Sequence, residues 1–316
     1  MHVHRLADIP LQPLQSRLFD RFQVRVSVLR LDRIHPLVSG NKWFKLKPAL
    51  AEAQEKGCPL LSFGGAWSNH IHALAYAGYE RGIETFGIIR GEPEYAANAM
   101  LTDAQCWGMR LQFVDRETYR QRDRLAYQHE LSVAHGGALV VPEGGSAPAA
   151  VRSVSEIWSL PALRGQRVDL LLTAVGSGGT LAGLIAGKPA GTQVLGVPVL
   201  KWGHDMVVKI GALLTRAGYA DNGGWALLEG AHRGGYARLD AELAAMIESA
   251  ALRHGLPLDP VYTAKLLMAF NRLLLSGQVA AGSHVVLVHT GGLQGVRGQQ
   301  SRLSALAPAF NGPLAV

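Results

Sequence analysis

Short apolar runs alternate along the chain with longer segments in which apolar residues recur every three or four positions. The apolar runs predict buried strands, and the longer segments predict helices that pack on them. One helix is predicted from Lys42 to Lys56, where Gly57 would end it, and another is predicted to open at Ser68. The predicted strands are 24–31, 60–65, 85–91, 111–115, 138–145 and 168–175, with later strands at 192–200, 225–230 and 284–292.

The clearest unit is VDLLLTAVGSGGTLAGLIAG, residues 168–187, which predicts a buried strand, a glycine turn and a helix of small residues. Alternation of strands and helices is typical of α/β proteins with parallel sheets. No internal repeat or long linker interrupts it, so any domain boundary must lie within the alternating segments. The pattern therefore predicts the α/β fold class.

Composition and charge exclude two kinds of partner. The chain has 316 residues, of which 48% are hydrophobic and 17% charged, as in ordinary soluble proteins. The net charge is +7, but the basic residues are scattered and no nucleic-acid partner is expected. No run approaches the roughly 18 apolar residues of a membrane span, and MHVHRLADIP has no apolar signal core. We therefore expect a cytoplasmic protein with no membrane partner.

Cysteines and histidines give no sign of a disulfide or a metal site. Cys58 and Cys106 are too few for a disulfide scaffold and match no zinc spacing, so each is predicted to be a buried free thiol. The histidines also lack metal-site spacing. No metal is expected.

The glycine turn is the first candidate site. Gly176, Ser177, Gly178, Gly179 and Thr180 follow a buried strand and open a helix. Such a turn exposes backbone N–H groups at the positive end of a helix, and the two hydroxyls add donors. The turn lacks the lysine of a P-loop and the spaced glycines of a dinucleotide site, so it suggests a single phosphate group. The alternative is a turn that is glycine-rich only for close packing.

A second candidate follows the predicted strand 60–65. Ser68, Asn69 and His70 lie where that strand ends and a helix begins. The carboxyl ends of parallel strands face the ligand crevice, and a carboxylate there would meet free N–H groups and a hydroxyl. The alternative is an ordinary serine cap with an incidental Asn and His.

Two lysines form the third candidate. Lys42 follows Gly40 and Asn41 near a predicted helix start, and Lys45 lies about one turn further on. A partly desolvated lysine is a nucleophile toward an aldehyde, while its neighbour would lower its pKa or bind a phosphate. A solvated lysine-rich helix is equally consistent with the spacing. Together, the three candidates suggest pyridoxal phosphate acting on an amino acid.

Seven ordered segments also resemble one enzyme family. The chain is similar to the fold-type II, tryptophan-synthase-β-like pyridoxal-phosphate enzymes, in the branch of 1-aminocyclopropane-1-carboxylate deaminases and D-cysteine desulfhydrases. The resemblance implies two open, twisted, mostly parallel sheets flanked by helices, with the cofactor in the cleft between them. It extends nearly from end to end of the chain. The matching segments are SGNKWFKLKPAL, WSNHIHALA, PEGGSAPAA, GSGGTLAG, GGYARLD, LDPVYTAK and VHTGG.

The resemblance implies a role for most of the candidate residues. Lys42 would join the cofactor covalently and then remove the substrate Cα proton, and Asn69 would bind the ring hydroxyl. The turn 176–180 would hold the phosphate, with Lys45 as an additional candidate contact. Residues 68–70 would receive the substrate carboxylate beside Trp67. Tyr236 and Tyr262 would flank the cofactor and substrate on the other side.

Four positions bear on the choice of substrate. Ring-opening deaminases resemble one another in a glutamate and a leucine where this chain has Thr263 and Thr290, which is similar to the desulfhydrase pattern. A hydroxyl near the pyridine nitrogen stabilises a protonated ring less than a carboxylate does, so a good leaving group such as thiolate is favoured. Phe44 and Trp67 replace an arginine and a glutamine of the family, which would alter the carboxylate pocket.

These features predict a smaller four-strand domain over 49–152 and a larger domain built from 1–48 and 153–316. The expected reaction converts D-cysteine, or a similar β-substituted D-amino acid, to pyruvate, ammonia and the released β-substituent. Two alternatives stay open: a 1-aminocyclopropane-1-carboxylate deaminase and a pyridoxal-phosphate-binding protein without turnover. The resemblance also suggests a homodimer. Glu143, beside two glycines, is a candidate general acid, but a solvated loop carboxylate is the favoured interpretation.

Overall fold

Two twisted sheets organise the chain in the computed structural model, which describes residues 6–201 and 205–307. The larger sheet has the strand order β1-β2-β10-β7-β8-β9, and all its strand pairs are parallel except β1 with β2. The smaller sheet is parallel throughout, in the order β5-β4-β3-β6. The strands are Leu11–Leu14 (β1), Arg25–Arg30 (β2), Leu60–Gly65 (β3), Thr85–Arg90 (β4), Arg110–Val114 (β5), Leu139–Val141 (β6), Leu170–Val175 (β7), Gln193–Pro198 (β8), Trp225–Leu227 (β9) and His284–His289 (β10).

Helices lie between the strands and cover the sheets, as the alternating pattern predicts. The α-helices are Arg17–Arg21 (α1), Asn41–Lys56 (α2), Asn69–Arg81 (α3), Ala99–Cys106 (α4), Arg116–Arg120 (α5), Leu125–Ala134 (α6), Pro148–Ser155 (α7), Gly179–Gly187 (α8), Asp205–Arg216 (α9), Ala241–His254 (α10), Thr263–Leu275 (α11) and Gln300–Leu306 (α12). A 3-10 segment, Leu293–Gln299, precedes α12. The α/β prediction is confirmed.

Helix ends follow the local sequence. Helix α2 ends at Gly57, which adopts a left-handed conformation with φ 62°. Such a conformation is open to glycine without a Cβ penalty. Ser68 caps α3, because its Oγ accepts the N–H of Ile71 at 3.3 Å. Both ends were predicted from the sequence.

Apolar residues on successive strand positions build a core on each side of the smaller sheet. Leu60 and Ile89 pack with α3, whereas Leu61, Phe63 and Ile88 pack in a separate cluster with Tyr119 and Leu131. The larger sheet is likewise flanked by two apolar clusters. Burial on both faces is what a parallel sheet requires, and it explains why the strands read as continuous apolar runs.

Three features differ from the sequence predictions. Strand β1 was not predicted; it contains Pro13, which is tolerated because β1 lies at the edge of the sheet. The run 138–145 forms only the short strand β6 and then turns, with Gly144 and Gly145 at positive φ. Both cysteines are free thiols, but neither is buried: Cys58 is half-buried and Cys106 exposed.

The strands of the two sheets come from different parts of the chain. The four strands of the smaller sheet all fall within 49–152, and those of the larger sheet fall outside it. The exact boundaries stay predictions, since α2 runs across residue 48 and the predicted large domain includes residues outside the described ranges. Within the described ranges, no helix is long and apolar enough to cross a membrane.

Candidate functional site

A cavity of about 1430 Å³ opens where the carboxyl ends of strands from both sheets meet. It is the expected ligand crevice of an open parallel sheet. The cavity gathers most of the residues singled out from the sequence. Those that line it are Lys42, Lys45, Trp67, Ser68, Asn69, His70, Gly176, Ser177, Gly178, Thr180, Tyr236, Tyr262 and Thr290.

Lys42 reaches the cavity because α2 begins against the end of β10. The N–H of Asn41 donates to the carbonyl of Thr290 at 3.2 Å. Gly40 has φ 65°, and a Cβ there would lie 1.9 Å from the same carbonyl oxygen, so only glycine fits. Burial lowers the pKa of Lys42 from 10.5 to about 8. A substantial neutral fraction near physiological pH makes this amine a nucleophile.

Lys45 lies deeper and contacts two serine hydroxyl groups; we call these three polar groups, together with the N-terminus of α8, the ring around Lys45. Its Nζ donates to the Oγ atoms of Ser146 at 3.1 Å and Ser177 at 3.3 Å, and those two oxygens are 2.6 Å apart. Only 2% of Lys45 is exposed. Burial, together with the charges of Lys42 and Lys209, holds the pKa of Lys45 well below its usual range. Burial and neighbouring positive charges disfavour the protonated form of this amine, and a bound anion would stabilise it.

The N-terminus of α8 adds backbone donors to this ring. The first backbone bond of the helix runs from the N–H of Ala182 to the carbonyl of Gly178, so the N–H groups of the preceding residues are left without an intrahelical partner. Thr180 Oγ1 accepts a hydrogen bond from Asn41 Nδ2 at 2.7 Å, which ties α2 to α8. Backbone donors, hydroxyls and an ammonium group together form a site for a phosphate dianion.

The glycines around the ring leave no room for side chains. A Cβ on Gly179 would lie 2.5 Å from Ser146 Oγ and 3.1 Å from Lys45 Nζ. A Cβ on Gly144 would lie 2.6 Å from Ser177 Oγ. The glycines therefore let Ser146, Ser177 and Lys45 come close to the backbone of the turn. A turn that brings these polar groups together favours an anion site over a turn that is glycine-rich only for packing. The donor set fits the phosphate of pyridoxal phosphate.

Ser68, Asn69 and His70 supply a second helix N-terminus at the cavity. Ser68 is the helix cap, as the alternative prediction has it, and the N–H groups of Asn69 and His70 remain at the open end of α3. Asn69 Oδ1 is buried and has no partner in the described chain. Its side chain lies so close to Gly292 that a Cβ there would be 2.6 Å from Asn69 Nδ2. Such an unsatisfied buried amide is suited to a ligand.

The side chain of His70 does not offer a charge to a carboxylate. Ser62 Oγ donates to the carbonyl of Val141 at 2.7 Å, so it accepts from His70 Nε2 at 2.8 Å, which leaves Nδ1 as an unpartnered acceptor. Burial, with the charges of Lys42 and Lys45, holds the pKa of His70 well below its usual range. What His70 can give a carboxylate is its backbone N–H.

Tyr236 and Tyr262 form the opposite wall. Their ring centroids are 6.4 Å apart, with the planes at 75°. Tyr262 lies against Gly176, where a Cβ would be 3.3 Å from Tyr262 Cε1. Burial raises the pKa of Tyr262, and desolvation by the surrounding atoms raises that of Tyr236 although 42% of this residue is exposed, so each phenol keeps its proton at neutral pH and can donate a hydrogen bond.

Thr263 is a correction to the predicted cofactor contacts. It is buried and lies outside the cavity lining, whereas Thr290 is part of it. The Thr263 hydroxyl donates to Asp259 Oδ1 at 2.7 Å and accepts the N–H of Asp259 at 2.8 Å. The Asp259 carboxylate also accepts the N–H groups of Val261, Tyr262 and Thr263. Thr263 is therefore drawn into the start of α11 instead of the site.

Two site features were missed or underestimated. Ser146 lies in the segment PEGGSAPAA, and its role does not follow from the sequence motifs, although a hydroxyl directly after two glycines is a usable signal. Glu143 is more than a solvated carboxylate: it accepts from Tyr119 Oη and from Arg122 Nε, each at 2.7 Å.

The indole of Trp67 packs against a glycine in the 3-10 segment Leu293–Gln299. A Cβ on Gly298 would lie 2.7 Å from Trp67 Cδ2. Near it, Arg297 forms an ion pair with Asp103 of α4. Gly298 thus leaves room for the tryptophan that stands at position 67 in place of the family's glutamine, and its indole lines the cavity.

Comparisons with known proteins agree with the site. The family model of pyridoxal-phosphate dependent enzymes matches residues 6–291. A Thermotoga maritima protein named "Putative 1-aminocyclopropane-1-carboxylate deaminase" is 31% identical over 313 residues, which cover 94% of this chain and 98% of the relative. D-cysteine desulfhydrase of Klebsiella pneumoniae is 27% identical over 309 residues, covering 90% and 92%. The crystal structure of an ACC deaminase homologue superposes with a TM-score of 0.83 at 26% identity, covering 94% of this chain and 93% of the other.

Proposed function

Because the chain belongs to the pyridoxal-phosphate-dependent enzymes, in the family of 1-aminocyclopropane-1-carboxylate deaminases and D-cysteine desulfhydrases, we propose that it converts D-cysteine and water to pyruvate, ammonia and sulfide. The observation that carries the proposal is Lys42, an amine with lowered pKa in one cavity with the hydroxyl and N–H ring around Lys45. When bound, pyridoxal phosphate withdraws electrons from the substrate Cα and so acidifies its proton.

The residues around this centre bind and orient. The ring formed by Lys45, Ser146, Ser177 and the start of α8 would hold the phosphate and fix the cofactor's position. Asn69, with its unsatisfied amide, would hold the ring hydroxyl. Lys42 would attach the cofactor and, once displaced by the substrate amine, accept the Cα proton at Nζ. Its lowered pKa suits both tasks.

The substrate would lie between the start of α3 and the tyrosine pair. The N–H groups of Asn69 and His70, with Ser68, would bind its carboxylate. Tyr236 and Tyr262 would bound its side chain and exclude water from that wall. Both phenols are protonated, so either can donate to a departing thiolate.

A preference for elimination of a good leaving group has support at the predicted pyridine end. Thr290 there offers a hydroxyl, and the Asp259 carboxylate is occupied at the start of α11. A hydroxyl stabilises a protonated ring less than a carboxylate does, so the electron sink would be weaker, and loss of thiolate would be favoured over cleavage of a carbon–carbon bond.

Ring opening of 1-aminocyclopropane-1-carboxylate to 2-oxobutanoate and ammonia is the second candidate. It is favoured by the names of the Thermotoga maritima relative and of the superposed crystal structure. A 2-oxo-acid assay on both compounds separates the candidates: pyruvate with sulfide from D-cysteine supports the first, and 2-oxobutanoate alone supports the second. A yellow protein inert toward both, and toward a panel of D- and L-amino acids, would indicate a binding protein without turnover.

Lys42→Ala tests the proposal at its central residue. We expect loss of the visible absorbance of the purified protein and of all 2-oxo-acid release. Lys47→Ala is the matched control, since Lys47 lies on the same helix but is exposed and pairs with Glu156; it should leave both readouts unchanged. Turnover retained in Lys42→Ala would refute the assignment.

A further inference from the structure

Lys265 is a fully buried lysine that none of the steps above uses. It lies near the start of α11 with 0% of its surface exposed. Its Nζ donates to the carbonyl oxygens of His232 at 3.1 Å and Gly235 at 2.6 Å. Burying an amine is costly unless its donors are used, so these two bonds define where the group is stable. Both acceptors belong to the backbone segment that leads into Tyr236.

Residues 232–239, which we call the Tyr236 loop, contain two strained positions. Arg233 has φ 49° and Ala237 has φ 54°. A residue with a Cβ rarely adopts positive φ, and such a backbone persists only where surrounding contacts hold it. Ala237 directly follows Tyr236, so the strain lies beside the residue that forms the cavity wall.

The carbonyl groups on both sides of Tyr236 are held by side chains from separate elements. Lys265 of α11 binds the carbonyl before it, and Gln299 Nε2 donates to the carbonyl after it, that of Ala237, at 3.0 Å. Tyr236 itself is 42% exposed, and within the described chain the one ring contact it makes is with Tyr262. The two backbone contacts therefore add to the ring contact and the side-chain hydrogen bond with Tyr262 in fixing the position of Tyr236.

We propose that Lys265 and Gln299 are positioning residues that clamp the backbone on either side of Tyr236 and so set its ring against the bound substrate. The inference rests on the proposed function, because it takes Tyr236 as a wall of the substrate site. A wall fixed before the substrate arrives loses little entropy on binding and holds the reacting groups in productive geometry. Removing either donor releases the strain at Ala237 and lets the ring move.

Two variants remove the donors while keeping side-chain length. Lys265→Met and Gln299→Glu should each lower kcat/KM for D-cysteine by about ten- to a hundredfold, as expected for a small misplacement. Visible absorbance and cofactor affinity should stay unchanged. Lys56→Met, which removes an exposed lysine of α2, is the control and should have no effect.

A double-mutant cycle asks whether the clamp acts through Tyr236. In a Tyr236→Ala background, Lys265→Met should cause no further loss of kcat/KM, because the ring that it positions is gone. Losses that multiply would overturn the proposal and assign Lys265 a general structural role. If Lys265→Met does not fold, the same cycle with Gln299→Glu decides.

Trypsin cleavage of the cofactor-free protein provides a readout that does not need turnover. Arg233 and Arg238 lie within the Tyr236 loop. Both donor variants should be cut there at least several times faster than the wild type and Lys56→Met. Unchanged cleavage would contradict the clamp. A wild-type protein without turnover on any amino acid would instead count against the proposed function, while the cleavage rates would still decide whether the clamp exists.

Discussion

Lys42 and Lys45 lie one turn apart on α2, and their surroundings suit them to different tasks. Lys42 is partly buried and lines the cavity, whereas Lys45 is almost fully buried and bonded to two serine hydroxyls. The charge of Lys42 also lowers the pKa of Lys45. Burial and hydrogen bonding, rather than residue type, thus leave Lys42 free to react and place Lys45 to bind an anion.

The lowered pKa of Lys42 predicts the pH dependence of cofactor uptake. Only the neutral amine attacks an aldehyde, and with a pKa of about 8 the neutral fraction rises as pH increases and saturates above that value. The initial rate of absorbance gain after adding pyridoxal phosphate to cofactor-free protein should therefore rise with pH and level off a little above pH 8. A rate that keeps rising toward the ordinary lysine value of 10.5 would show that burial does not act on this amine.

At this scale the sequence predicted residues that belong to contiguous motifs. Lys42, the turn 176–180 and residues 68–70 were predicted because their motifs place them at strand and helix ends, and the structure brings these segments to one cavity. Thr263 lies outside the cavity because its hydroxyl and N–H bind the Asp259 carboxylate, and the sequence pattern gives no sign of this local contact. Ser146 was missed because its role depends on Lys45, 101 positions away in the chain.

Helix α8 shows how an element becomes an anion site. Its first turn follows directly after β7, so its free N–H groups face the crevice, and Gly179 lets Ser146 and Lys45 approach. The sequence predicted this element because a strand, a glycine turn and a helix are contiguous. It could not predict the partners, which come from α2 and from the turn after β6.

Gly179→Ala tests the need for close approach. The new Cβ would meet Ser146 Oγ and Lys45 Nζ, so we expect affinity for pyridoxal phosphate to fall about tenfold or more, the scale of a 1–3 kcal/mol steric cost. Spectroscopic titration of the cofactor-free protein measures it. Gly211→Ala in α9 is the control, because a Cβ there meets nothing within 4 Å. That variant should keep the affinity and gain stability, by about 0.5–1 kcal/mol in the free energy of unfolding. Equal affinities in both variants would contradict a close-fitting cradle.

For the whole molecule, the hydrophobic pattern predicted the strands that are buried on both faces of a sheet. Parallel strands covered on both faces read as apolar runs, so nine of the ten strands were anticipated. Strand β1 was not predicted, because this edge strand contains a proline and has no continuous apolar run. The pairing of the two sheets, which creates the cavity, joins residues far apart in sequence and was available only through the family resemblance.

The homodimer stays a prediction at this scale. Light scattering of the purified protein should give twice the chain mass of 33.9 kDa, independent of loading concentration over a wide range. A mass equal to one chain at every concentration would contradict it.

Borohydride reduction of the purified holoprotein, followed by peptide mass spectrometry, tests the central assignment most directly. Reduction fixes a covalently attached cofactor to its lysine. The account predicts the added mass on the peptide that contains Lys42, at that residue and in near-stoichiometric yield. Added mass on Lys45 or Lys265, or none on any lysine of a protein that retains turnover, would contradict it.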